Sequence, residues 1–340
     1  MSVFAVDWTE LLREMGVALE LRVLPWSASK AEFAAASNKY EMQVRVLAGF
    51  DRIMRGLARD AVALFTDALS IDSSCVQAFL GRAMAYEQLY NDQQAHNDYD
   101  SAVQLDQRCV LALCERGWTC LALGKTRAAL DDYAKAISLA PTQSGPQNGL
   151  ANARTVMGDT AGALTAYNKA ISLARSDRER ASVVVNRGVL RYVQGLWGKA
   201  SADLRKGIGL CEDLSCWSRF LLWHCRARKG ERSKGDVTLN SYLSSLERKP
   251  KGEELDWSAA LGGLLLGKVS EETALSLLDT YDPVRTQERR CEAHFHLGSL
   301  ALLSGPVRSA RKHFRKCLDT GFTMAPEYVC ARAELSRLAK

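Results

Sequence analysis

The sequence predicts an all-α fold: a right-handed superhelical solenoid of about eight stacked helix pairs, with N-terminal helices before it and a C-terminal capping helix after it. Three observations carry this expectation. Alanines recur at Ala61, Ala95, Ala129 and Ala163, at a constant interval of 34 residues. Four residues after each stands an aromatic (Phe65, Tyr99, Tyr133, Tyr167), three further on another Ala (Ala68, Ala102, Ala136, Ala170), and twelve before it a small residue (Gly49, Ala83, Gly117, Ala151). Steps of four and three put Ala, aromatic and Ala on one stripe of a helix, and the small residue lets the preceding helix approach closely. No run of alternating polarity marks a strand. A fixed period of this size signals a stacked array in which each unit buries its apolar face against its neighbours.

The elements follow in order. Residues 1–41 read as N-terminal helices, Asp7 to Arg22 and Ser27 to about Tyr40, broken at Pro25. Residues 42–175 hold four regular units, with Gly56, Gly124 and Gly158 at the tight turns between paired helices. Residues 176–253 hold a fifth regular unit (Gly188, Gly195, Ala200, Leu204, Gly207), shifted by the charged insert 176–180. A degenerate sixth follows (Gly230, Gly235, Leu239), with bulky Trp223 where a small residue is usual. Residues 254–340 give a degenerate seventh unit (Gly262, Ala274, Leu278) and a clear eighth (Gly298, Gly305, Ala310, Phe314, Cys317). They end in an amphipathic helix, Ala325 to Leu338, whose stripe of Tyr328, Ala331, Leu335 and Leu338 would cap the stack.

The stretch Leu-Gly-Lys-Thr-Arg-Ala-Ala-Leu-Asp-Asp-Tyr-Ala-Lys-Ala-Ile-Ser-Leu-Ala-Pro, residues 123–141, closely resembles the tetratricopeptide repeat (TPR) consensus. The C-terminal third carries a finer resemblance. Leu264-Leu-Leu-Gly-Lys-Val-Ser, Cys291-Glu-Ala-His-Phe-His-Leu-Gly298 and Glu327-Tyr-Val-Cys-Ala-Arg-Ala-Glu-Leu335 look like the ending of the bacterial NlpI-type TPR lipoproteins. The resemblance implies a non-catalytic scaffold that binds a peptide segment or protein surface in a concave groove lined by the first helix of each pair. NlpI-type members hold proteases and cell-wall hydrolases together, but no lipobox cysteine stands at this N-terminus.

Composition narrows the classes. The chain has 340 residues, 47% apolar and 25% charged, with 7 Pro and a net charge of +6. Fibrous and disordered classes are excluded, and no apolar stretch approaches the roughly 18–20 residues of a membrane span. Asp7, Glu10, Glu14 and Glu20 argue against a targeting segment, so a cytoplasmic location is expected, or the bacterial envelope had a leader preceded Met1. Ten scattered cysteines without a C-x-x-C read as reduced thiols.

No catalytic motif, metal site or cofactor is expected. Gly124-Lys125-Thr126 lacks the first glycine and strand of a phosphate loop. Cys291, His294 and His296 are spaced so that only two can converge: His294 is expected in the core and His296 towards the groove. Cys211, Cys216, His224 and Cys225 are equally scattered. The candidate partner-binding groove takes Trp118, Asn148, Asn152, Asn186 and Tyr192, since a row of amides can hold a peptide backbone and aromatics can anchor side chains. Trp217 and Phe220 suit either the groove or the core. Arg187, Arg191, Arg219 and Arg226 are candidate contacts to an acidic partner, in a segment (175–235) with 14 basic and 6 acidic residues. In the two-carboxylate clamp of chaperone-binding members, Asn148 replaces the leading Lys, so only Asn152 and Asn186 match. The expected partner is a protein or peptide. A structural subunit or self-assembling scaffold is the alternative, and RNA binding through 175–235 is disfavoured. No small-molecule substrate is expected, and the oligomeric state is left open.

Overall fold

The computed structural model describes residues 30–212, 216–246, 253–280, 282–323 and 325–339. The expected Asp7 to Arg22 helix and its Pro25 break lie outside them. Every regular element among the described residues is an α-helix. In order they are α1 (Lys30–Met54), α2 (Ala58–Ile71), α3 (Val76–Gln88), α4 (Asp92–Leu105), α5 (Val110–Ala122), α6 (Thr126–Leu139), α7 (Ser144–Met157), α8 (Thr160–Leu173) and α9 (Asp177–Val193). There follow α10 (Trp197–Leu210), α11 (Cys216–Arg228), α12 (Arg232–Leu246), α13 (Glu253–Leu265), α14 (Glu271–Ser276), α15 (Pro283–Ser304), α16 (Val307–Leu318) and α17 (Pro326–Leu338). Where two helices were expected, Ser27 to Tyr40 and then the first repeat helix, α1 runs unbroken, because no Gly or Pro stands between Lys30 and Ala48. Two compact units divide after Ala166.

From α1 to α7 each helix packs on the next, and first helices also touch across repeats, α1 with α3 and α5 with α7. The aromatic of the second helix explains the small residues. Phe65 is fully buried and wedged into two glycine notches: a Cβ on Gly49 would lie 2.6 Å from its Cζ, and one on Gly81 2.2 Å. Tyr133 sits in the same way between Gly117 and Gly149. Gly56 and Gly124 turn between helices at φ +74° and +73°; Tyr90, halfway between them in sequence, takes the same left-handed turn at φ +54°.

A buried charge ladder joins the two helices of a pair. Arg82 Nε donates to Asp98 Oδ2 at 2.7 Å and Arg116 Nε to Asp132 Oδ2 at 2.9 Å, each pair 16 residues apart. In unit 2, Arg187 and Asp203 repeat the geometry at 2.9 Å, with Arg191 on the same carboxylate. Where the arginine is missing one repeat on, at Leu150, the aspartate is missing too, at Ala166; Ala48 and Leu64 stand likewise one repeat earlier.

Unit 2 follows the helix-pair plan with two departures. Trp223 is accommodated because Gly235 faces it, 3.1 Å from a would-be Cβ, and its indole donates to Asp236 at 2.7 Å. The seventh pair's second helix, α14, shrinks to six residues. The C-terminal helix α17 packs on α15 and α16 and also returns to α9. Val185, Tyr192, Leu221, Cys225, Phe295, Phe314, Cys330 and Ala331 thus share one core.

Candidate functional site

The first helices carry the candidate site, and the two units use them differently. In unit 1 the inward positions Met84 and Glu87 of α3, Leu111 and Glu115 of α5, and Asn152 and Thr155 of α7 are half-buried. This graded exposure of apolar, amide and carboxylate groups is what a segment lying across three helices would meet. Trp118 and Asn148 are more enclosed, 9% and 1% exposed, so they form the floor of this face rather than its surface.

Two carboxyl groups on this face have displaced proton affinities. Burial, then the neighbouring Glu115, pushes Glu87 well above the carboxylate range, although Tyr99 donates its hydroxyl to Glu87 Oε2 at 3.2 Å. Burial pushes Glu115 up to about 7. Glu87 Oε1 and Glu115 Oε2 are buried without a hydrogen-bond donor. Such a pair carries less negative charge at neutral pH than two carboxylates in water.

In unit 2 the equivalent face is covered from within. Tyr192, expected as a groove anchor, is 1% exposed: its hydroxyl donates to Glu334 Oε1 at 3.0 Å and its ring meets Trp197 and Phe295 edge-on. The correction has a definite cause, because α17 lies on α9, and Arg337 donates to the Tyr192 carbonyl at 2.7 Å while stacking on Trp197. Asn186 is 8% exposed on the same helix. Phe220 is core and Trp217 packs against core.

The four candidate arginines are internally committed. Arg187 and Arg191 share Asp203; Arg226 donates to the Lys234 carbonyl and, at 2.5 Å, to Thr238; Arg219 donates to the Glu212 carbonyl and stacks on Tyr242. His296 does not reach a groove: it is 1% exposed, and its Nδ1 lies 2.7 Å from His224 Nε2 with the rings stacked. His294 pairs instead with His313, at 3.3 Å. No group of three or more His, Cys, Asp or Glu side chains is gathered as a metal would require, among the described residues.

What the sequence reading missed is the role of α17. Its innermost side chains are Glu327, Cys330, Ala331 and Glu334, while Tyr328, Leu335 and Leu338 of the expected stripe pack half-buried against the same core as Ala331, so the buried face is wider than expected and includes two acids. Acids seven residues apart flanking Cys330 and Ala331 were the available signal, since such spacing buries both on one face.

These buried groups predict a pH optimum. Burial pushes Glu327 up to about 8, so the native state holds a proton the unfolded chain releases, and stability falls as pH rises towards 8. Burial lowers His294 to about 4 and His296 to about 3, so below pH 6.5 the unfolded chain binds more protons and stability falls as pH drops. Urea unfolding followed by circular dichroism is expected to show greatest stability near pH 6.5. Glu327→Gln removes up to about 2 kcal/mol of the decline between there and pH 8. An unchanged slope in that variant contradicts the assignment.

The comparisons with known proteins agree with this geometry. Residues 110–143, α5 and α6 with their flanking turns, match the Tetratricopeptide repeat family. PilW, a widely conserved type IV pilus biogenesis factor, is similar in fold: TM-score 0.53, 18% identity, covering 63% of this chain and 96% of PilW. The APC/C hetero-tetramer Cut9–Hcn1 superimposes with TM-score 0.56 at 16% identity, covering 67% of this chain and 42% of that one. No curated protein sequence matches. Residues 110–143 carry a tetratricopeptide repeat, and the described residues have the all-α architecture such repeats build; the finer likeness to NlpI-type lipoproteins is unconfirmed. No helix among the described residues is long and apolar enough to cross a membrane.

Proposed function

We propose that the chain is a non-catalytic scaffold whose unit 1 grips a peptide segment of a partner protein across α3, α5 and α7, with a basic residue of that segment placed against Glu87 and Glu115. Tetratricopeptide folds serve as protein-interaction scaffolds, and the observation that supports this particular face is the pair of carboxyls on it, each with a buried oxygen that lacks a donor and each raised in proton affinity by burial. A lysine or arginine docked there supplies the missing donors and returns both groups to the charged form they hold in water. Met84 and Leu111 offer apolar contact on either side, and Asn152 stands one repeat away for the peptide backbone.

The test is selection of peptides from a random twelve-residue display library on the full chain. Lys- or Arg-bearing peptides are expected, with affinity lowered about tenfold by Glu115→Gln and by Asn152→Ala. Asn186→Ala in unit 2 should leave it unchanged. Peptides without a basic residue, or binding indifferent to both unit 1 substitutions, would overturn this reading.

A further inference from the structure

The segment 285–340 carries 11 basic and 5 acidic residues, a modest surplus on paper. The fold enlarges it. Glu334 is 1% exposed and bound to Tyr192 and Arg337; Glu327 is 6% exposed; Glu292 accepts from the Trp257 indole at 2.5 Å. Glu327 and Glu334 are thereby removed from the surface, Glu292 is half-buried and held, and of the cations Arg289 is buried as well. Five cations stand outside together: Arg308, Arg311, Lys312, Arg315 and Lys316, all on α16, are exposed. Among the described residues none of the five is paired with a carboxylate. The opposite face of α16, with Ala310, His313, Phe314 and Cys317, is buried and holds the helix rigidly in place.

The spacing of these cations is regular. Arg308, Lys312 and Lys316 stand one turn apart, and Arg311 and Arg315 form a second row beside them. Successive charges in a row are therefore about 6 Å apart along the axis. A facing helix with acids at three- and four-residue intervals presents carboxylates at the same pitch, and arginine forks take carboxylates two oxygens at a time. A single nucleic-acid strand fits less well, because no exposed aromatic stands on α16 to stack a base. An inserting membrane contact needs an apolar outer face, and this helix turns its apolar face inward.

We propose that the outer face of α16 docks an acidic helical segment of a partner protein whose carboxylates recur at each turn. This surface is separate from the α3, α5 and α7 face, and it relocates the acidic-partner contact from the committed arginines of 175–235 to α16.

The probe is a fluorescein-labelled fourteen-residue alanine-rich peptide with glutamates at three- and four-residue spacing, titrated into the full chain with anisotropy as readout. Three comparison probes are its Gln-for-Glu counterpart, an isomer with the same glutamates in one block, and a single-stranded oligonucleotide of equal charge. The patterned peptide is expected to bind at least tenfold tighter than any of the three, with affinity falling as salt rises. Arg311→Gln with Arg315→Gln should weaken it at least tenfold at an unchanged circular-dichroism melt. Lys312→Gln with Lys316→Gln, which leaves the Arg311 contact to the Leu338 carbonyl intact, repeats the test should the first pair alter the melt. Glu115→Gln should have no effect, which separates this surface from the unit 1 face. No binding, equal binding of the block isomer, tighter binding of the oligonucleotide, or indifference to both variant pairs overturns the proposal.

Discussion

Gly149→Ala is expected to destabilise unit 1 by about 3 kcal/mol, the upper end of what overpacking a core costs. The added Cβ would stand 2.1 Å from Cε1 and 2.5 Å from Cζ of Tyr133. That ring is 1% exposed, and on its other side a Cβ at Gly117 would already be 2.9 Å away, so it has nowhere to slide. The control is one turn away on the same helix: Gly145 has nothing within 4 Å of a would-be Cβ, so Gly145→Ala should be neutral or stabilising by several tenths of a kcal/mol. Urea midpoints for the two variants read the contrast directly. Equal midpoints would show that the ring does not occupy the notch.

Asp98→Leu is expected to cost about 3 kcal/mol, because Arg82 keeps its charge in a site where its side chain is only 19% exposed. The double substitution Arg82→Ala with Asp98→Leu should recover most of that loss, to within about 1 kcal/mol of the parent. The chain already contains this exchange: Ala48 and Leu64 occupy the corresponding positions one repeat earlier, and Leu150 with Ala166 two repeats later. A charge pair and an apolar pair are alternative solutions to one packing site, and mixing them is what costs. A double-mutant cycle with no coupling between the two positions would refute this.

The periodic features were legible in the sequence because they obey short-range geometry. Ala61, Phe65 and Ala68 share a stripe whatever the rest of the chain does, and all three are fully buried. The turn glycines were equally readable. Tyr90 was not, since only a glycine advertises a positive φ, and its place halfway between Gly56 and Gly124 was the usable sign. The Arg-Asp ladder was visible at the same 34-residue interval, but charges on helices are usually solvated and drew no attention. Of the groove residues read from unit 1, Asn152 lies on the half-buried face, while Trp118 and Asn148 lie beneath it. In unit 2, positions counted from the repeat pointed at Tyr192, and what decides its exposure is a helix some 140 residues further along, with which it shares no local pattern. The expectation that His296 faces the groove failed for the same reason, because His296 meets His224, 72 residues away.

The return of α17 to α9 sets an order of events during synthesis. In unit 1 the side-chain links between helices join residues at most a few dozen positions apart, such as Gln88 to the Ile53 carbonyl, 35 residues back. Such contacts form as soon as the next pair has left the ribosome. The Tyr192 to Glu334 and Arg337 to Tyr192 links span 142 and 145 residues, so the later partner is made long after the earlier one. The inner face of α9 is therefore translated early and closed last, and throughout that interval Tyr192, Val185 and their neighbours wait without the helix that covers them. Unit 2 closes only once residues 334 to 337 have been made, and a chain halted before residue 334 leaves it unsealed.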